Sequence, residues 1–279
     1  LYDARHGVAF ETIVVDNASA DGTPRFVRDR FPDVRVVENA ANLGYSRAVN
    51  QGIEAARGAY VLILNPDIVT HEGSLERLVR FMEEHPDAAI AGSKLLNPDG
   101  TVQHSCRRFY SVWTLLLRRT PLGRLLPWNR EVPRYLMLDF DHESSREVDW
   151  LIGACMMVRA EAVRDAGLLD QRFFFFLEET DWCRRFVKKG WKIVLVPHAK
   201  IVHLQGKSAE KVHTGARIEY FRSRYMYFKK HHGYTARIIL RIGLFIRLLF
   251  NTFFNGLASG FGIVSGKTAE KFKTYREIL

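Results

Sequence analysis

Residues 59–70 have the sequence Ala-Tyr-Val-Leu-Ile-Leu-Asn-Pro-Asp-Ile-Val-Thr, an apolar run that meets an abrupt polar turn. The run Tyr60–Leu64 carries no charge, which predicts a strand buried on both faces of a sheet. Pro66 has no backbone N–H to donate, so the chain should leave the sheet there. Asp67 is then expected at the carboxyl edge of the sheet, where open α/β sheets bind ligands. A carboxylate in that place suits a divalent cation and, through it, a diphosphate.

The tripeptide Asn-Pro-Asp occurs again at residues 97–99, and the two copies differ in the residues that come after them. The second copy continues into Gly100 between two apolar segments, which predicts an ordinary turn. The first copy continues into apolar residues and meets no glycine until Gly73. Taken alone, the sequence around Asp67 supports a metal ligand and a loop residue about equally.

The composition of the 279-residue chain is that of a globular protein, with 47% hydrophobic and 26% charged residues. The length fits one large domain or a domain with an appendage. Three widely spaced cysteines without a Cys-x-x-Cys pair argue against a disulfide framework and a structural zinc site, and favour a reducing compartment. A net charge of +10 points to nucleic acid, anionic lipid or a phosphorylated substrate as a partner.

Strand-like and helical segments alternate near the amino end of the chain. Strands are predicted at Phe10–Val15, Val34–Glu38 and Tyr60–Leu64, and helices at Pro24–Arg30 and Tyr45–Ala56. This alternation is typical of a doubly wound parallel sheet.

Two places in the sequence are candidates for ligand contact at a strand end. Asp16 follows the first strand and opens a polar loop; residues that favour turns explain most of this loop, but a turn does not need an acid at the strand end. Gly153-Ala154, inside the strand-like segment Asp149–Arg159, leaves room for a ligand beside the backbone.

The second half of the chain supplies candidate catalytic and metal-binding side chains. Phe173–Phe176 precede a cluster of acids at Glu178, Glu179 and Asp181, which opens a predicted helix. Attraction to the helix dipole explains two of the three acids. A carboxylate that follows four phenylalanines is also a candidate for a desolvated general base with a raised pKa. His203 ends the last predicted strand, and on spacing alone a structural role is favoured for it.

Two segments combine basic residues with apolar ones. In Arg107–Arg119, a lid helix packed on the core and a membrane-facing or acceptor-facing segment are both compatible with the pattern. From Arg217 onward, basic residues precede the apolar run Ile238–Val264, which is typical of a helix anchored on an anionic membrane surface. Its cleanest stretch, Leu248–Val264, is shorter than the about 20 residues of a standard span, and a weak transmembrane hairpin or packing against the core are the alternatives.

Together these features resemble the inverting family 2 glycosyltransferases of the GT-A fold, especially the bacterial rhamnosyltransferase-like branch. The resemblance covers about residues 10–230 and rests on loose motifs in the right order. The motifs are Val14–Gly22, Asn42-Leu43-Gly44-Tyr45 with Asn50, Asn65-Pro66-Asp67, Gly153-Ala154 with Arg159, Phe174–Asp181, and His203 with Ser208. The resemblance implies an α/β GT-A fold, Rossmann-like, in which helices flank a mixed sheet. It further implies a GT-A domain over residues 1–230 and a basic, apolar helical tail at the membrane interface over residues 231–279.

The family pattern also implies a role for each motif. Asp67 and His203 would hold Mg²⁺ or Mn²⁺ on the donor diphosphate. Glu179 lies where the family usually has an aspartate base, so Glu178 and Asp181 are equally compatible with that role. The residues implied to bind the nucleotide sugar are Asp16, Asn17, Asp21, Asn42, Asn50, Asn65, Arg222 and Arg224. The residues implied on the acceptor side are Gly153, Ala154 and Trp182.

The sequence departs from the family at its start. The family opens with a strand and a helix before the strand that here is Phe10–Val15, and residues 1–9 cannot supply them. We therefore expect a truncated sequence of a longer protein, because the missing strand belongs to the interior of the family's sheet and lines the nucleotide pocket.

The expected activity is metal-dependent transfer of a sugar, with inversion, in the synthesis of a cell-surface polysaccharide. The donor would be a dTDP-, UDP- or GDP-linked sugar, and the acceptor a hydroxyl of a glycan or lipid-linked acceptor. The enzyme would lie at the cytoplasmic face of the membrane, peripheral or weakly inserted. The alternative is a non-catalytic remnant or a nucleotide-sugar-binding module. Adjacent glutamates are weak evidence for a glycosidase, and the apolar run near the carboxyl end favours anionic lipid over nucleic acid.

Overall fold

The structure is a computed structural model, and it describes residues 7–118, 121–204 and 214–260. The described residues form two units. The first contains residues 7–109, 137–174 and 178–204, and the second contains residues 110–118, 121–136, 175–177 and 214–260. The domain boundary expected after residue 230 stays a prediction.

The chain alternates strands and helices before it ends in a long helix. In chain order, the described elements are β1 (Ile13–Asp16), α1 (Thr23–Arg30), β2 (Arg35–Glu38), α2 (Tyr45–Ala55), β3 (Tyr60–Leu64), β4 (Ile68–Thr70), α3 (Ser74–Glu84), β5 (Ala88–Leu96), β6 (Cys106–Arg107), α4 (Val112–Leu117), α5 (Pro121–Leu125), α6 (Glu131–Leu136), β7 (Arg146–Glu147), β8 (Trp150–Leu151), β9 (Cys155–Arg159), α7 (Ala160–Ala166), α8 (Glu178–Lys188), β10 (Lys192–His203) and α9 (Thr214–Gly260).

A six-stranded mixed sheet forms the centre of the first unit. Its strand order is β3-β9-β5-β10-β4, with β7 also paired to β10. β5 and β10 are parallel, whereas β9 is antiparallel to both β3 and β5. The amphipathic helix α3 packs Leu78 and Met82 against Leu95, Met157 and Ile201 of the sheet, and all five are buried. The mixed sheet with flanking helices confirms the predicted fold class.

The prediction of a parallel doubly wound sheet is correct for β1 and β2 and wrong for β3. β1 and β2 pair in parallel as a separate two-stranded sheet. β3 pairs antiparallel with β9 and is the end strand of its sheet among the described strands, and only Ile63 of it is buried. Burial of Tyr60–Leu64 on both faces was therefore also a wrong expectation. An apolar run without charge does not specify its pairing partner, because strand preference depends on packing neighbours.

Two further strand predictions change at residues that interrupt pairing. The segment 149–159, predicted as one strand, is divided into β8 and β9 by a turn at Gly153-Ala154. The segments 192–197 and 200–203, predicted as two strands, form the single strand β10. The register of β10 is irregular beside Pro197, which has no N–H to donate.

The second unit is built around α9, which is broken at Gly233, where φ is 83°. A residue with a side chain rarely adopts this φ, so the glycine fixes the position of the break. Before the break, the rings of Tyr227 and Phe228 lie 6.1 and 6.5 Å from the ring of Tyr110. The buried aromatic residues hold the first part of α9 in its unit.

The expected helical tail is present as far as Gly260. Within the ranges that the structure describes, no helix has both the length and the apolar character needed to cross a bilayer. Residues 261–279 of the expected tail lie outside the described residues. So does Ser208, which was quoted with His203 as part of a family motif.

Candidate active site

The Asn-Pro-Asp turn after β3 is held between the ends of two other strands. The N–H of Asn65 donates to the carbonyl of Ala154 over 3.0 Å. The carbonyl of Asp67 accepts from the N–H of Leu204 over 2.9 Å, because β4 pairs antiparallel with the last residues of β10. Asp67 is half-buried. The chain thus leaves the strand where the sequence predicted, and Asp67 lies at the end of β10.

Asp67 and His203 form a carboxylate–imidazole pair at this edge of the sheet. His203 Nε2 lies 3.4 Å from Asp67 Oδ1, and its Nδ1 lies 2.9 Å from Oε1 of Gln103. Both His203 and Gln103 are buried. With the amide oxygen as acceptor, Nδ1–H donates and Nε2 presents its lone pair on the side of Asp67. Nothing in the sequence pointed to Gln103, which lies a hundred residues before its partner.

This pair fits a divalent cation that is also bound by a substrate. A carboxylate oxygen and an imidazole nitrogen are usual protein ligands of such metals, and diphosphate oxygens and water can complete the coordination. Among the residues that the structure describes, no group of three or more His, Cys, Asp or Glu side chains is placed to hold a metal. The arrangement therefore favours a cation shared with a diphosphate over one held by protein ligands alone.

The second Asn-Pro-Asp sequence forms the turn that was predicted for it. Gly100 has a φ of 83°, and the N–H of Asn97 donates to the carbonyl of Thr101 over 2.8 Å. Oδ1 of Asp99 accepts from both the N–H and the hydroxyl of Thr101, at 3.0 and 2.6 Å. Asp99 is exposed, and its carboxylate stabilises the turn in which it lies.

Glu178 and Glu179 begin α8 with shielded carboxyl groups. Oε2 of each is buried and has no hydrogen-bond partner among the described residues. Burial raises the pKa of Glu179 to about 7; burial, followed by the charge of Glu179, raises the pKa of Glu178 well above its ordinary value. Gly153 adjoins Glu179, since a Cβ on this glycine would lie 3.6 Å from the glutamate Cβ. A carboxylate with a pKa near 7 can accept a proton at neutral pH.

Tyr45 lies between the strand exit and these glutamates. Its hydroxyl is 3.4 Å from Oδ1 of Asn65 and 3.4 Å from the carbonyl oxygen of Gly153. Burial raises its pKa, and the charges of Glu178 and Glu179 raise it further, so the phenol remains a neutral donor. The sequence identified Tyr45 only as an apolar helix position within the Asn-Leu-Gly-Tyr motif, and its role in the site was missed.

Asp181, an expected alternative base, and Trp182, expected on the acceptor side, both make contacts inside the protein. Asp181 is fully buried, and its Oδ2 accepts from Nε of Arg185 over 3.1 Å, so its carboxylate already neutralises a cation of its own helix. Trp182 is also fully buried, and its indole N–H donates to the carbonyl of Gly167 over 2.7 Å. Its spacing on α8 directs Trp182 into the core, and its expected place on the acceptor side stays a prediction.

Two further predicted site residues are enclosed by protein. Asn50 uses its amide NH₂ and its carbonyl oxygen on the backbone of Leu169, at 2.9 and 3.0 Å, and is 2% exposed. It joins α2 to a loop, and its expected role in nucleotide-sugar binding stays a prediction. Ala154 is fully buried in the core, so of the predicted Gly153-Ala154 pair only Gly153 adjoins a candidate catalytic group.

The predicted nucleotide-binding residues after β1 form a polar network. Asn17 donates to Oδ1 of Asn42 over 2.9 Å and accepts from the N–H of Leu43 over 2.9 Å. Asp16 is buried, and its Oδ2 accepts from the N–H of Ser19 over 3.0 Å. These contacts join the loop after β1 to the loop before α2, and they keep Asp16 at the strand end.

The remaining predicted nucleotide-binding residues lie outside this network. Asp21 is exposed and accepts from the N–H and hydroxyl of Thr23, and these hydrogen bonds lower its pKa. Arg222 and Arg224 belong to the second unit. Arg222 forms an ion pair with Glu219 over 2.7 Å, and the guanidinium of Arg224 lies over aromatic rings of α9. Their expected contact with a phosphate stays a prediction.

Comparison with known proteins decides the family. Residues 5–167, more than half of the chain, match the family model described as Glycosyl transferase family 2. The chain belongs to glycosyltransferase family 2. This glycosyltransferase is 32% identical over 243 residues to the N-acetylglucosaminyl-diphospho-decaprenol L-rhamnosyltransferase of Mycobacterium tuberculosis (strain CDC 1551 / Oshkosh), which covers 82% of this chain and 78% of that protein. It is 25% identical over 209 residues to the low-salt glycan biosynthesis hexosyltransferase Agl10 of Haloferax volcanii, covering 74% of this chain and 62% of that protein.

Solved structures of similar fold are also transferases. The structure of GalNAc-T7 with UDP, GalNAc and Mn²⁺ matches with a TM-score of 0.52 and 16% identity, covering 76% of this chain and 41% of that one. The mannosyltransferase PcManGT of Pyrobaculum calidifontis, in complex with GDP-Man and Mn²⁺, matches with a TM-score of 0.50 and 15% identity, covering 96% of this chain and 75% of that one. The glycosyltransferase shares the GT-A fold with both, and it spans less than half of the GalNAc-T7 chain.

Proposed function

We propose that this glycosyltransferase transfers a rhamnosyl or related hexosyl group from a nucleotide-diphosphate sugar to a lipid-linked glycan acceptor, with inversion. The observation that carries the proposal is the Asp67–His203 pair at the strand exit, joined through Asn65, Tyr45 and Gly153 to the glutamates of α8. The rhamnosyltransferase similarity supports the choice of sugar and of a diphospho-polyprenol acceptor.

The chemistry divides between the two ends of this site. Glu179 takes the proton of the acceptor hydroxyl while that oxygen attacks the anomeric carbon in line, and the bond from the anomeric carbon to the donor phosphate oxygen breaks. The single displacement inverts the configuration at the anomeric carbon. Tyr45, as a neutral donor, orients the groups around Asn65 and Gly153.

Asp67 and His203 would hold the cation on the donor diphosphate. When bound, the cation supplies charge neutralisation to the leaving nucleoside diphosphate. An imidazole ligand favours Mn²⁺ over Mg²⁺, which prefers oxygen ligands and keeps several waters. The Mn²⁺ in the two structures of similar fold supports the same choice.

The direct test is transfer by the full chain. Purified enzyme is mixed with dTDP-, UDP- or GDP-linked sugars and an N-acetylglucosaminyl diphospho-polyprenol acceptor, with Mn²⁺, with Mg²⁺ or with chelator. The expected result is transfer from one donor class, which chelator removes and Mn²⁺ restores best. Binding of a nucleoside diphosphate by calorimetry without any transfer would instead identify a nucleotide-sugar-binding module.

The Gln103→Leu variant is expected to weaken Mn²⁺ binding by about 10- to 100-fold in the presence of nucleoside diphosphate. Without the amide oxygen that accepts from Nδ1, the His203 ring loses the contact that fixes its tautomer and its direction. Titration calorimetry with Mn²⁺ and nucleoside diphosphate measures the effect.

The Gln171→Leu variant controls for the loss of a glutamine amide, because this exposed side chain bonds to Arg47, a surface residue of α2. Equal Mn²⁺ affinity in the Gln103 variant and the parent would contradict a metal role for His203.

We further propose that the second unit contacts an anionic membrane surface. Its α4–α6 region exposes Trp113 and Trp128, at 63% and 74%, and α9 beyond Gly233 exposes Ile238 and Ile242. Residues 214–246 carry seven Lys or Arg and one acid. Exposed tryptophan and isoleucine beside basic residues fit the headgroup region of a membrane that contains anionic lipid. Membrane contact would bring the enzyme to a lipid-linked acceptor.

A Trp113→Ser, Trp128→Ser double variant is expected to bind vesicles at least about tenfold more weakly than the parent, because two large apolar side chains no longer enter the lipid. Co-sedimentation with vesicles of phosphatidylcholine, with and without phosphatidylglycerol, measures the loss. Phe26→Ser is the control, since Phe26 is 64% exposed on α1 of the first unit. Equal binding by all three proteins, or binding that ignores phosphatidylglycerol, would refute this surface.

A further inference from the structure

The turn that leads into α8 has a backbone conformation that its residues do not favour. Phe176 and Leu177 have φ values of 71° and 63°, in the left-handed region that bulky side chains rarely adopt. Neither is a glycine, and they are consecutive. Such a conformation persists only where surrounding contacts hold it. The contacts that hold this turn therefore bear on Glu178, the next residue, and on Glu179.

Helix α9 holds the turn within the second unit. Ser223 donates from its hydroxyl to the carbonyl of Phe175 over 2.9 Å, and Ser223 is 1% exposed. The ring of Tyr220 meets the ring of Phe176 edge to face, with centroids 5.6 Å apart. The carbonyl just before the strained backbone and the ring of its first residue thus both have a partner on α9.

The segment just before the turn is fixed to α2. The N–H of Tyr45 donates to the carbonyl of Phe174 over 2.7 Å, and the hydroxyl of Ser46 donates to the carbonyl of Phe173 over 2.6 Å. Relaxation of the turn cannot be absorbed on this side without breaking these bonds. It would instead move the start of α8, which follows the turn directly.

We propose that Ser223 is a positioning residue for the catalytic base, because its hydrogen bond to Phe175 keeps the strained turn in place and so sets the position of Glu179. The inference rests on the proposed function, in which Glu179 takes the proton of the acceptor. Among the residues that the structure describes, the titratable groups that face the two glutamates are Tyr45 of α2, Cys183 of α8 and the glutamates themselves. A displaced Glu179 would change its distance to the acceptor and its shielding from water together.

The Ser223→Ala variant is expected to lower kcat by about 10- to 100-fold, as a small misplacement of a catalytic group does, with the donor KM little changed. The acid limb of its kcat–pH profile is expected to lie at a lower pH than the acid limb of the parent. A displaced Glu179 would be more hydrated, and hydration of the carboxylate lowers its pKa. The Ser223→Thr variant, which keeps the hydroxyl, is expected to retain most of the parental kcat. Ser74→Ala is the matched control: Ser74, the first residue of α3, is equally buried, and its hydroxyl donates to the carbonyl of Lys200 over 2.7 Å. It should lower the melting temperature without moving the acid limb.

The role of the strain itself is tested in the Phe176→Gly background. Glycine adopts a φ of 71° without steric cost, so Ser223→Ala should lower kcat much less there than in the parent. An unchanged kcat and acid limb in Ser223→Ala, or an equal loss in both backgrounds, would overturn the proposal. If Glu179→Gln is inactive while Ser223→Ala keeps the parental kcat and acid limb, the proposed function stands and only this inference is refuted. Full turnover by Glu179→Gln would refute the base assignment itself.

Discussion

The Glu179→Gln variant is expected to lose about 10²–10⁴-fold in kcat for sugar transfer while it still binds the donor nucleotide. Glutamine keeps the shape of the side chain and its place beside Gly153, but it cannot accept the proton of the acceptor hydroxyl. Steady-state kinetics measure the loss, and titration calorimetry with the nucleoside diphosphate shows that the donor site is intact. The parent's kcat is expected to rise with pH through about 7, where Glu179 ionises.

The linkage between protonation and folding provides a control for this variant. The folded-state pKa of Glu179, about 7, lies above its ordinary value of 4.5, so the folded protein binds this proton more tightly than the unfolded chain. The contribution of this carboxyl to stability is therefore present at low pH and is lost as the pH rises through 7. Near pH 8, Glu179→Gln should melt at a higher temperature than the parent, so its inactivity cannot be ascribed to unfolding.

The neighbouring glutamate is the informative comparison. Glu178 is 5% exposed, and Gly153 adjoins Glu179, so Glu178→Gln is expected to lower kcat less than Glu179→Gln. A reversed order, with Glu179→Gln active and Glu178→Gln inactive, would assign the base to Glu178. Asp181→Asn should chiefly lower stability, because it removes the charge paired with Arg185.

The sequence predicted those features of the site that local chemistry specifies. Pro66 ends a strand because it has no N–H, and Gly100 permits the positive φ of the turn that was predicted for the second Asn-Pro-Asp copy. The sequence also predicted a carboxyl group with a raised pKa among the acids that follow Phe173–Phe176, and burial raises the pKa of Glu179 to about 7.

The features that the sequence could not specify depend on contacts between distant segments. Gln103 contacts His203 because two distant chain segments pack together at the end of β10, and no pattern in either segment predicts this contact. In the sequence, an asparagine at position 50 is compatible with contact to a polar ligand and with a buried structural hydrogen bond. Its hydrogen bonds to Leu169 depend on the loop that packs on α2, which the local sequence does not specify. The partner of β3 was unpredictable for the same reason, because strand pairing is a property of the whole sheet.

The Asp67→Asn variant is expected to lower kcat/KM for transfer by about 10²-fold or more and to abolish the response to added Mn²⁺, because asparagine keeps the volume of the side chain and removes its charge. Asp99→Asn is a control that the chain itself supplies: the same tripeptide, an exposed carboxylate and bonds only to Thr101 in the described structure. Its effect should be confined to a small loss of stability at the turn. Transfer assays over a range of Mn²⁺ concentrations separate the two variants. If both were equally active, or if Asp67→Asn kept the parental Mn²⁺ response, then the strand exit would be a turn like its counterpart, and the diphosphate of the donor would have to bind elsewhere.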